Sequence, residues 1–176
     1  FQTEDNAKFD AKRIIAVGRL SRQKGFDYLV QVAKKLKNEI PEWRIDIFGD
    51  GDQRDTLLNE IQKNSLNNFV NIKHSTNNIM EELLKSSIYV MTSRFEGLPM
   101  VLIEAQECGL PIVSFDCKEG PNQIVQDNKN GYLVEVGDSN TFADKVISIT
   151  KNEEMWNIFS ENAKENANNY SEGRII

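Results

Sequence analysis

Six short runs rich in β-branched residues recur along the chain, separated by stretches with helical spacing. The runs are RIIAVG (13–18), WRIDIFG (43–49), FVNIKH (69–74), SIYVMTS (87–93), PIVSFD (111–116) and GYLVEV (131–136). Between them, Phe26, Leu29, Val30, Val32, Ala33 and Leu36 make one helical stripe. Leu57, Leu58 and Ile61 make a second stripe, and Ile79, Leu83 and Leu84 a third. The segment from Met100 to Cys108 and the run TFADKVISI predict two more helices. Strands alternating with helices across short connections predict an α/β fold: a Rossmann-like open parallel sheet of about six strands with helices on both faces. Asp52 is expected to cap the helix of DQRDTLL, with Asp55 favoured in its first turn. Pro99 is expected near the first position of the next-but-one helix, where a missing N–H costs least. The Asn- and Glu-rich end, ENAKENANNYSEG, reads as a polar surface helix that frays.

At 176 residues the chain is long enough for one domain with a sizeable core. Its formal net charge of −6 gives no electrostatic reason to expect nucleic acid or an acidic membrane as partner. The longest apolar runs, such as MVLI, are far too short to span a bilayer, and no signal-peptide pattern opens the chain. Cys108 and Cys117 lack metal-ligand spacing and are expected to be buried thiols, not a disulfide. The expectation is a soluble cytoplasmic domain, cut from a longer protein because it starts at Phe1 and stops after SEGRII.

Open parallel sheets bind ligands outside the carboxyl ends of their strands. That rim is made of GRLSRQKG, GDGDQ, HSTNN, SRFEGLP, DCKEGPN and VGDSN. A helix starting near Pro99 has unpaired N–H groups and a partial positive charge, so Leu98, Met100 and Val101 can point donors at an anion. Gly97 allows close approach to the backbone. Glu104 shares a helical face with Val101, Ala105 and Cys108, where an ionised carboxylate needs hydrogen-bond donors such as sugar hydroxyls. By spacing alone, the simpler reading is that Glu104 reaches water from the stripe's edge and that Glu96 is an ordinary loop acid.

Arg19 and Lys24 follow the first strand, where two cations suit a diphosphate, although surface charges on a solvated loop have the same pattern. There is no G-x-x-x-x-G-K-[ST] P-loop, and the first strand is not followed by G-x-G-x-x-G. Nor does an acid pair end that strand, as a phospho-accepting signalling domain requires. FGDGDQ fits either a turn beside a ligand or a turn into a helix, which leaves the roles of Gly49 and Asp50 open. Asp50 and Asp52 lack a third convergent ligand for a metal. His74, the only histidine, has no evident nucleophile partner and reads as a loop residue; Trp43 and Trp156 read as packing residues.

Taken in order, VGRLSRQKGFDYLV, FGDGDQRDTL, SRFEGLPMVLIEAQECGLPIVSFD and NGYLVEVGD resemble the C-terminal, nucleotide-sugar-binding half of family 4 retaining glycosyltransferases, which have the GT-B fold. The resemblance runs from about Arg13 to Phe142. Its most specific element is E-x7-E, met by Glu96 and Glu104 inside S-R-x-E-G-x-P…E-A…C-G-x-P. It implies that residues 1–176 are a single donor-binding domain, without the N-terminal acceptor domain of the full-length protein. Glu104 would then bind the ribose hydroxyls of a nucleotide sugar. Glu96 would bind hydroxyls of the transferred sugar and help hold transition-state charge. Arg19 and Lys24 would grip the diphosphate, helped by Leu98, Met100 and Val101, with Gly18, Gly49, Asp50 and Gly97 close to the donor. One departure is Gln123, which stands in CKEGPNQIV where relatives often carry Glu and so puts any copied sugar specificity in doubt.

The resemblance further implies a retaining hexosyltransferase acting in surface glycan biosynthesis. The donor would be a nucleoside-diphosphate sugar, by default a UDP-hexose, with no cofactor and no metal ligand set. An acceptor glycan or lipid-linked sugar would enter through the missing domain, and the full-length protein would be peripheral at the inner face of the membrane. The fragment alone is expected to bind donor and turn over little or nothing. The alternatives are a GT-B sugar-nucleotide epimerase and a non-catalytic nucleotide-sugar-binding module.

Overall fold

Strands β1 (Arg13–Val17), β2 (Arg44–Phe48), β3 (Val70–Lys73), β4 (Ile88–Met91), β5 (Ile112–Phe115) and β6 (Gly131–Val134) form one sheet in a computed structural model that describes residues 5–170. Every pairing is parallel and the spatial order is β3-β2-β1-β4-β5-β6. Each of the six expected runs contains one strand. Ile14 and Ile15 point to opposite faces of the sheet, yet neither has exposed surface, and the same holds for Ile88 and Tyr89. Both faces are therefore covered, which is why these strands read as continuous apolar runs and not as alternations.

The cover consists of α1 (Phe26–Glu39), α2 (Arg54–Lys63), α3 (Ile79–Leu84), α4 (Met100–Glu107), α5 (Ser139–Thr150) and α6 (Glu153–Asn169). Helix α1 packs against α2 and α5, whereas α4 packs against α3 and α6. All six residues of the predicted α1 stripe are buried. Trp43 and Trp156 are packing residues: both sit edge-on to Phe9. Arg13, only 3% exposed at its side chain, is neutralised inside the protein by Asp46 at 2.5 Å and Glu82 at 3.0 Å.

Three expectations need correction. Asp52 does not cap α2; Gln53 occupies the cap position, without a side-chain bond. The turn is held through its backbone instead, with Leu20 N–H donating to Asp50 O and Gln53 N–H donating to Leu20 O. Leu58 lies on the wet side of α2, 39% exposed. Pro99 is close to where it was expected, as the cap residue of α4, one position before the helix. The described part of ENAKENANNYSEG is not a polar surface helix: it closes α6, and Ala163, Asn166 and Ala167 are buried there. Asn166 donates to Gln106 Oε1 on α4 and to Ile124 O, so a buried amide pins this helix to its neighbour. The last part of ENAKENANNYSEG, from residue 171, lies outside the described residues.

Candidate functional site

The strand order reverses between β1 and β4, and in open α/β sheets ligands bind beyond the strand ends at such a reversal. The β1–β4 ladder pairs Ile14 with Ile88 and Ile15 with Tyr89. Beyond it, the Tyr89 hydroxyl stands in for the missing strand, accepting from Val17 N–H and donating to Val17 O, each at 3.2 Å. Burial raises the pKa of this hydroxyl and the charges of Glu96 and Glu104 raise it further, so one buried phenol senses both acids.

Glu96 stands on the loop after β4, with its side chain 7% exposed. Its Oε2 accepts from Lys24 Nζ and from Ser93 Oγ, both at 2.7 Å. Lys24 comes from the loop after β1, and its aliphatic stem lies across Gly18, where an added Cβ would stand 3.3 Å from it. Gly97 faces open space: nothing lies within 4 Å of where its Cβ would be. A Cβ on Gly120 would press on Glu96 and on the Gly97 carbonyl, so the loop after β5 backs this side of the site. Buried Cys117 is also near; burial raises its pKa first, then the Glu96 charge. Cys108 is buried as well, pushed up to about 12, and both thiols are free, as expected.

Helix α4 begins at Met100, and the N–H groups of Leu98, Met100 and Val101 have no backbone acceptor among the described residues. They are available to an anion, as the position of Pro99 suggested. Glu104, one turn on, is half-buried; desolvation raises its pKa, and its carboxylate has no hydrogen-bond partner among the described residues. A carboxylate of that kind is short of donors. Phe95, Leu98 and Met100 leave 58%, 37% and 53% of their surface exposed along the same segment.

The remaining candidates divide. Arg19 is exposed on the loop after β1 and forms no ion pair among the described residues. Gly49 packs so closely on Gly18 that a side chain there would overlap the Gly18 carbonyl, so its first duty is to let two loops touch. Asp50 is fully engaged: its carboxylate holds His74 Nδ1 at 2.6 Å and Ser75 Oγ at 2.6 Å. Ser75 and His74 lower its pKa to about 2. Ser75 donates to Asp50 and not to His74, so these three side chains do not form an activated nucleophile. The loop reading of His74 missed this contact.

Sequence reasoning also missed Arg94, although it stands inside the quoted SRFEG. Its guanidinium donates to both oxygens of Asp27 at 2.9 and 2.6 Å, donates to Arg22 O at 2.6 Å, and lies 4.6 Å above the Tyr28 ring. No local signal pairs residues 67 positions apart. Among the described residues, no group of three His, Cys, Asp or Glu side chains could hold a metal ion. No helix among them is long and apolar enough to cross a membrane.

Comparison with known proteins agrees with this geometry. The family model for glycosyl transferases group 1 matches residues 2–166. An uncharacterized glycosyltransferase of Haemophilus influenzae is 35% identical over 170 residues, covering 97% of this chain and 48% of its own length. The amylovoran biosynthesis glycosyltransferase AmsD of Erwinia amylovora is 36% identical over 164 residues, 93% of this chain and 46% of AmsD. A crystal structure of a TarM mutant from S. aureus, in complex with fondaparinux, alpha-GlcNAc-glycerol and UDP, superposes with a TM-score of 0.89 at 30% identity. That match covers 94% of this chain and 33% of TarM. The chain thus spans less than half the length of these relatives, and its sheet and helices match the C-terminal domain of the GT-B fold. The chain belongs to the group 1 glycosyl transferases.

Proposed function

We propose that residues 1–176 are the donor-binding half of a retaining glycosyltransferase that uses a nucleoside-diphosphate sugar, by default a UDP-hexose, in surface glycan synthesis. The observation that carries this reading is the 2.7 Å contact between Lys24 and Glu96 at the point where the strand order reverses. A cation suited to phosphate and an acid suited to sugar hydroxyls meet there, as they must on either side of the bond that breaks. Support also comes from the UDP in the TarM complex and from the amylovoran biosynthesis in the name of AmsD.

In this reading Lys24, Arg19 and the N–H groups of Leu98, Met100 and Val101 receive the diphosphate. Glu104, short of donors in the free chain, accepts from the ribose hydroxyls. Gly18 and Gly97 leave room for the ligand, and Gly49 and Asp50 shape the adjoining wall. As the glycosidic bond lengthens, negative charge grows on the diphosphate and positive charge on the sugar ring. Preorganised partners of this type each contribute on the order of a few kcal/mol to such a transition state. Lys24 and the helix end serve the first charge, and Glu96 the second. Protein cations would supply the positive charge, so no cofactor enters this scheme. The acceptor, a glycan or lipid-linked sugar, would be held by a partner domain outside this chain, with the whole protein cytoplasmic and peripheral to the membrane.

The test is a thermal-shift titration against UDP, UDP-glucose, UDP-N-acetylglucosamine and other nucleoside diphosphates. A ligand at a hundred times its Kd stabilises by about 2.7 kcal/mol, so binding to the wild type registers as a rising midpoint. The expected result is stabilisation that is lost in Glu104→Ala and Arg19→Ala; equal shifts in wild type and both variants would remove the assignment.

A further inference from the structure

We propose that Arg94 is a positioning residue that sets the distance between Lys24 and Glu96, and with it the hold on the donor's second phosphate. This rests on the donor-site reading above.

Lys24 and Glu96 come from different loops, 72 residues apart in sequence, and nothing in either loop alone brings them together. Arg94 does so at the base of both loops. Its side chain clasps Asp27 with two parallel bonds, caps the Arg22 carbonyl and stacks on Tyr28. Its backbone N–H donates to Gln23 O at 2.8 Å, and Gln23 returns a bond from Nε2 to Phe95 O at 3.2 Å. The stitches on one loop fall on residues 22, 23 and 27, which bracket Lys24. Those on the other fall on 94 and 95, immediately before Glu96. Thr92 adds a buried bond from Oγ1 to Gly25 O at 2.9 Å.

A lone surface ion pair would not carry this role, because most contribute little. Arg94 differs in three respects. Its side chain is 18% exposed, it is bidentate in a geometry lysine cannot copy, and its charge also serves a backbone carbonyl and an aromatic face. Without it, the two loops keep their backbone bonds but lose the clasp that fixes their separation. Lys24 pairs with Glu96, the acid assigned to the transferred sugar, so of the two phosphates it faces the second, which adjoins that sugar, and the loss falls on diphosphates and spares monophosphates.

Arg94→Ala, Arg94→Lys and Asp27→Asn are titrated with UDP-N-acetylglucosamine, UDP and UMP by NMR, with thermal midpoints recorded in parallel. For Arg94→Ala, UDP and the UDP-sugar are expected to weaken about tenfold while UMP stays within about twofold, with Arg94→Lys in between. Should Arg94→Ala fail to fold, Arg94→Lys and Asp27→Asn carry the same comparison. Unchanged UDP binding, or UMP weakening as much as UDP, overturns the positioning role. A wild type that binds none of the three ligands is a separate outcome, which removes the donor-site reading and this inference with it.

Discussion

Glu96 Oε2 takes the ammonium of Lys24 and the hydroxyl of Ser93 at the same distance, 2.7 Å, while its side chain is nearly closed off from water. Removing one partner of such a pair leaves a charge short of donors; removing both charges does not. Lys24→Ala is therefore expected to destabilise the chain more than the double variant Lys24→Ala, Glu96→Gln. The coupling should fall at about 0.5–3 kcal/mol in a double-mutant cycle read by urea unfolding. Additive changes would show that the two groups do not interact in solution.

Glu104 gives the opposite sign. Burial raises its pKa in the folded chain, so the native state holds its proton more tightly than the unfolded one. Stability then falls as pH climbs from the ordinary carboxyl value of 4.5 through the raised value, and the penalty is complete above it. Glu104→Gln is expected to melt higher than wild type at neutral pH, with the difference closing below pH 4.5, and to lose donor binding. Melting curves across the acid range check the first part and ligand titration the second.

Gly25 holds the positive-φ corner (φ 64°) between the 3-10 turn that carries Lys24 and the start of α1. A Cβ there would overlap the Thr92 carbonyl oxygen. Gly25→Ala is expected to cost at least about 1–3 kcal/mol from backbone strain alone and to weaken UDP binding by shifting Lys24. Denaturant midpoints and titration calorimetry read both effects.

Asp46 lies far from solvent, 1% exposed, against Arg13. Desolvation works against its charge, but the Arg13 guanidinium, with bonds from Asn71 and Arg13, outweighs it and lowers the pKa. This contribution is complete above the usual value of 3.8 and is lost as pH falls through the lowered one. Asp46→Ala is expected to cost about 3–5 kcal/mol by stranding Arg13, somewhat less to the extent that Glu82 compensates. Urea unfolding measures the loss, and a gap between wild type and variant that narrows only as pH falls below 3.8 gives the sign.

The sheet was legible because its strands are buried on both faces: Ile14 and Ile15 stand in an uninterrupted apolar run, and Ile45 and Ile47 are separated only by Asp46, which Arg13 neutralises. Helix α6 was not, because composition hid what packing supplies: Ala163 and Ala167 bury little surface each, and Asn166 is satisfied only by partners 60 and 42 residues away. The Asp52 expectation failed for a related reason. Backbone bonds from Leu20, on another loop, decided where α2 begins. At the site, the rule for parallel sheets pointed to the two loops that bring Lys24 and Glu96 into contact. The Arg94–Asp27 clasp was invisible, since each residue alone looks like any surface charge. Asp50 was marked, but its engagement with His74 and Ser75 depends on the β2–β3 pairing.

The phenol that replaces a strand at the end of β1 has a mechanical consequence. Val17 and Tyr89 lock the floor of the cleft into the hydrogen-bonded lattice beneath it, so that floor cannot widen without breaking a partly sheltered pair of bonds. Accommodation of a bulkier guest must therefore come from the walls, and variation in guest size among kindred proteins should be written in their wall segments while the floor stays the same.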